Sequence, residues 1–93
     1  MFQQSVGFRL KAIRCYLQED QSGMGDIVGV TQHAWHYYEI GRTLIPAERA
    51  RSIIARARVN WDYIYEGDKE RLPRYLADKL DVAEEEVRAG RFN

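Results

Sequence analysis

Between Gln21 and Gly41 the chain reads QSGMGDIVGVTQHAWHYYEIG. Asp20, just before it, can cap a helix that runs to Val28, and Gly29 supplies the left-handed residue that ends such a helix. Thr31 is again of N-cap type. The helix it opens carries Trp35 and Tyr38 inward at a three-residue step and stops at Gly41, a second C-terminal glycine. Gln32, His33, His36 and Tyr37 are then left facing outward. Gly23 and Gly25 each cost the preceding helix about 1 kcal/mol relative to Ala. Gly25 is expected to make the space that the large Trp35 needs.

Helical spacing continues on both sides. Phe8, Leu10, Ile13 and Leu17 give a first helix over about Ser5 to Gln18, with Arg9 and Lys11 on its wet side. Pro46 opens a fourth helix whose apolar face is Ala50, Ile53, Ile54 and Ala57. Asn60 caps a short fifth, Trp61 to Tyr65, closed by Gly67. Leu72, Leu76 and Leu80 make a further stripe with Pro73 in its first turn. Asp81 and Glu84 have capping-box spacing, so a separate last helix is expected from Val82 to Ala89. Alternating strand patterns are missing, and the fold class is all-α.

Ninety-three residues support one core, divided here into a domain over 1–67 and a helical extension over 68–93. With 45% hydrophobic and 30% charged residues, the composition is that of a folded globular chain. No apolar run exceeds three residues, which excludes a membrane span and points to the cytoplasm. Lone Cys15 cannot form an intrachain disulfide and fits a reducing compartment. Fourteen basic residues balance fourteen acidic ones, yet unevenly. Up to Trp61 eight basic residues face five acidic ones, a balance of +3, and from Asp62 onward six face nine, a balance of −3. One polyanion-facing surface would fit that asymmetry.

The two short helices and their neighbours resemble the lambda-repressor/Cro type of helix-turn-helix domain, found in phage repressors and bacterial transcription regulators. Gln21, Met24, Gly25 and Val28 match its second helix, Gly29, Val30 and Thr31 its turn, and Tyr38, Glu39 and Gly41 the end of its recognition helix. Arg9, Leu10, Lys11, Ile13 and Arg14 are similar to its first helix, and Pro46, Ala55, Asp62, Tyr63 and Ile64 to its fourth and fifth. The likeness covers about Val6 to Asp68. Asp62 to Gly67 with Leu72 and Pro73 further resembles an extension found in bacterial members. Trp35 stands where Ile or Val is usual, and Glu19 where an apolar residue is usual.

The resemblance implies five helices, duplex DNA as partner, and a transcriptional repressor or other regulator working as a homodimer on a two-fold operator. It assigns Gln32, His33 and Tyr37 to bases and Gln21 and Arg42 to the DNA backbone, with Thr31, His36 and Thr43 beside them. Physically, a helix in the major groove reaches base edges with its N-terminal side chains, and Gln can pair bidentately with adenine. Arg14 and Glu39 match positions that form a partly buried ion pair in the family. His33 and His36 lack a third nitrogen or sulfur ligand, so no metal is expected; nor is a cofactor, or enzymatic chemistry, since no nucleophile–base arrangement can be assembled. The alternative is an antitoxin-like protein-interaction module with weak or no DNA binding, which neutral charge and an aromatic third helix favour. The Leu72, Leu76 and Leu80 stripe can either fold back on its own domain or bind a second subunit.

Overall fold

Five α-helices and one π-helical turn, with no strand, make up the regular structure in the computed structural model, which describes every residue from Met1 to Asn93. In order they are α1 (Phe2–Leu17), α2 (Gln21–Val28), α3 (Gln32–Glu39), α4 (Ala47–Ala57), the π-helical turn (Asp62–Glu66) and α5 (Arg74–Arg88). Helix α1 starts three residues before the expected Ser5. The short fifth segment is wound as a π-turn, and the Asn60 side chain accepts from the Tyr63 N–H at 2.8 Å to begin it.

Local chemistry sets the joints. Asp20 accepts from the Gly23 N–H (2.7 Å) and Thr31 from the Ala34 N–H (3.1 Å), satisfying donors that helix starts leave free. At the end of α2, Gly29 adopts φ 78°, and the Val30 N–H reaches back to the Gly25 carbonyl at 2.9 Å. The turn from Gly29 to Thr31 is thereby closed on α2 itself. A Cβ on Gly25 would lie 2.7 Å from the Val30 carbonyl oxygen, with Thr31 backbone next. Gly25 is thus required by the turn and not, as expected, by the bulk of Trp35. Gly7 plays the matching part on α1, where a Cβ would strike the Tyr38 and Glu39 carbonyls at the end of α3.

Trp35 and Tyr63 are the largest wholly buried side chains. They sit in one core with Leu10 and Ile13 of α1, Met24 of α2, Ile53 of α4 and Leu76 and Leu80 of α5. A second helix boundary at Asp81 does not exist: α5 is continuous, and Leu76, Leu80 and Ala83 form one buried stripe along it. An acidic pair three residues apart is also ordinary helix-interior spacing, and here Asp81 and Glu84 hold Lys69 at 2.6 and 3.0 Å. Helix α5 packs chiefly on α1, so its leucines fold back on the chain that carries them. A radius of gyration of 11.8 Å, against about 12 Å for a globule of this length, leaves no room for a projecting arm.

Candidate nucleic-acid interface

Burial divides α3 into two faces. Trp35, Tyr38 and Glu39 point into the protein, Gln32 and His33 are exposed, and His36 and Tyr37 are half-buried on the outer side. Thr31, Arg42 and Thr43 flank the helix and are exposed. At its C-terminus Gly41 takes φ 78°, and the N–H groups of Arg42 and Thr43 both return to the Tyr37 carbonyl (3.0 and 3.3 Å). That closure folds Arg42 over the Tyr37 ring, with its guanidinium 4.7 Å from the ring centroid. His33 meets the same ring edge-on, centroids 6.0 Å apart. The outer face therefore carries Gln32, three aromatic or imidazole rings and one arginine.

Beneath this face lies a bonded network. Arg14 and Glu39 form a bidentate ion pair, Nε to Oε2 at 2.6 Å and Nη2 to Oε1 at 3.2 Å, with each side chain 3% exposed. The indole N–H of Trp35 also donates to Glu39 Oε2, and the Gln21 amide donates to Oε1 at 3.1 Å. Four donors converge on one carboxylate, which a desolvated anion requires. The Phe92 ring and the Asn93 carbonyl (2.6 Å) cover Arg14 from outside.

Sequence reasoning expected Gln21 to face DNA. Its side chain is half-buried, and its amide nitrogen lies 3.1 Å from His36 Nδ1 as well as from Glu39 Oε1. Gln21, Gln32, His33 and His36 together line a shallow hollow of 230 Å³ at the α2–α3 junction. No group of three His, Cys, Asp or Glu side chains is placed to hold a metal ion.

Arg49 escaped the sequence reading. From α4 it donates to the Val28 carbonyl at 3.1 Å and brings its guanidinium against Gly29. A positive charge thus stands beside the turn before α3. No sequence signal marks it, because the α4 register that aims it there is set by tertiary packing. Away from this surface, burial lowers the Arg9 guanidinium from its ordinary value, and its Nε donates to the Ile64 carbonyl (2.9 Å) as a structural tie. No helix is long and apolar enough to cross a membrane.

Comparisons with protein-family models, with curated proteins and with solved structures gave no match.

Proposed function

We propose that the chain is a sequence-specific duplex-DNA-binding protein of the helix-turn-helix kind, acting in transcription regulation, with α3 as the helix that enters the major groove. The observation that carries this reading is the outer face of α3. Gln32, His33, His36 and Tyr37 stand outward on a helix held from behind by the Arg14–Glu39 pair and from the front by a three-residue turn. An α-helix about 10–12 Å across with its side chains suits a groove about 12 Å wide. Gln32 at the first helical position and His33 after it are placed for base edges, and Tyr37 for a thymine methyl or a sugar. Arg42, Thr43 and Arg49 are the candidates for phosphate contacts.

Two copies on a two-fold operator belong to this proposal, since recognition helices one DNA turn apart, about 34 Å, read such sites. Their contact must use a surface other than the Leu72, Leu76 and Leu80 stripe, which is buried within one chain. Titration with a random duplex over increasing salt tests the reading. Binding should weaken linearly on logarithmic axes with a slope of roughly one unit per phosphate contacted. A chain that binds no duplex at low salt is not a DNA reader, and the protein-interaction module would take its place.

A further inference from the structure

We propose that Gln21 is a positioning residue that fixes the tautomer of His36, so that the imidazole turns an Nε2–H outward as a hydrogen-bond donor to an acceptor on a base edge. The ligand half rests on the DNA-binding reading above; the tautomer half does not.

Glu39 sets the orientation of the Gln21 amide. An ion-paired carboxylate only accepts hydrogen bonds, so the group that Gln21 presents to Oε1 at 3.1 Å must be its NH2 and not its carbonyl. The orientation of the amide is thereby decided by chemistry. One amide hydrogen is used on Glu39. The other points at His36 Nδ1, also 3.1 Å away. Two N–H groups cannot face each other across that distance, so Nδ1 carries the lone pair and the ring proton sits on Nε2. Nε2 lies across the ring from Nδ1, away from Gln21, in a side chain that lines the hollow shared with Gln32 and His33.

The polarity of that hollow follows. Major-groove acceptors are guanine O6 and N7, adenine N7 and thymine O4, whereas the cytosine N4 amino group is a donor. A fixed Nε2–H can satisfy any of the former and opposes the last. With the tautomer free, the ring could accept from a cytosine amino group instead, and this discrimination would fall. Buried Glu39 thus determines, through one amide, what an outward-facing ring can read.

Two experiments on the full chain test this. Multiple-bond 15N–1H spectra of the imidazoles at about pH 8.5, where imidazole is ordinarily neutral, should show His36 wholly as the Nε2–H form. A scalar coupling across the hydrogen bond should link its Nδ1 to the Gln21 amide nitrogen. The near-isosteric Gln21→Met, checked for an unchanged fold by thermal melting, should lose the coupling and give averaged tautomers. An Nδ1–H form in the wild type, or no change in Gln21→Met, overturns the positioning role while leaving DNA binding intact. In selection from random duplexes, the wild type should exclude cytosine at one contacted position by ~10-fold. His36→Ala should lose that exclusion, and Gln21→Met should weaken it. Uniform weakening by His36→Ala on all sequences overturns the base-edge assignment. If no duplex binds at all, the DNA reading falls and takes the base-edge half with it, whatever the tautomer.

Discussion

Glu39 receives hydrogen bonds from Arg14, Gln21 and Trp35, and its energetics follow from what each loss would strand. Replacing Arg14 with Met leaves a desolvated carboxylate without its cation, at a cost of about 3–5 kcal/mol. Removing both charges, Arg14→Met with Glu39→Met, should cost less than the sum of the two single changes. It will not be neutral, because the indole N–H of Trp35 then loses its acceptor, worth about 1–3 kcal/mol. Urea denaturation of the four proteins supplies the cycle, and additive losses would contradict a coupled pair. On the outer face the DNA-binding proposal puts the expected effects on recognition. Gln32→Ala should lose about 1–3 kcal/mol of discrimination at one base pair, visible as a change in the selected sequence. Under the same proposal Arg42, whose guanidinium stacks on Tyr37 beside α3, contacts a phosphate, so Arg42→Ala should weaken all duplexes alike and lower the salt slope by about one unit.

Among the helices, the two glycines of α2 make a controlled comparison. Gly25→Ala drives a Cβ into the fixed carbonyl of Val30, and should destabilise by about 1–3 kcal/mol despite the better helix propensity. Gly23→Ala meets side-chain atoms alone, the flexible end of Glu19 and, at 3.2 Å, the capping Asp20 Oδ1, so the propensity gain of up to ~1 kcal/mol should prevail. Thermal melts of both variants check the opposite signs. A different tie joins the π-helical turn to α5: the Tyr63 hydroxyl donates to Glu84 at 2.7 Å, and Lys69 binds the same carboxylate. Burial, then the bond to Glu84, pushes the Tyr63 phenol well above its ordinary range. For Lys69, burial pulls downward, but the hydrogen bonds and charges of Asp81 and Glu84 outweigh it and the net shift is upward. Both groups hold their protons more tightly when folded, so their stabilisation is complete below the unfolded values of about 10 and is lost as pH rises through the folded ones. Urea midpoints should therefore fall above about pH 10, and Tyr63→Phe should make that fall shallower. An unchanged alkaline slope would remove Tyr63 from the effect.

What the sequence disclosed at this level was periodic or capped. The boundaries of α2 and the start of α3 were legible because Asp20, Gly29 and Thr31 state their backbone roles locally. The continuity of α5 was not, since the Asp81–Glu84 spacing serves a cap and a helix interior alike, and only the position of Lys69 distinguishes them. Likewise the outward set on α3 could be derived from Trp35 and Tyr38, whereas the bonds of Gln21 depend on where the third dimension puts Glu39 and His36.

For the molecule as a whole, α5 is part of the core and not an appendage. Leu76 and Leu80 are wholly buried with Leu10, Ile13 and Tyr63, so a chain stopped at Asp68 uncovers one side of α1. Each fully buried leucine contributes on the order of 2–5 kcal/mol by the cost of its replacement with Ala, against total stabilities of roughly 5–15 kcal/mol for domains. The truncated chain is expected to lack a cooperative thermal transition by circular dichroism. A sharp melt close to that of the full chain would show that the first 68 residues close a core alone.

The pairing of α1 with α5 also governs how quickly this architecture can be reached. The segment that follows α5 also returns to α1, where Arg14 donates to the Asn93 carbonyl 79 positions on, whereas α2 and α3 meet across three residues. Closing the longer loop costs more chain entropy, and non-local contacts slow folding relative to bundles of sequence neighbours. Refolding should accordingly be limited by a nearly chain-length search, with the α2–α3 corner available as an early, local nucleus and the docking of α5 as the late step that commits the rest.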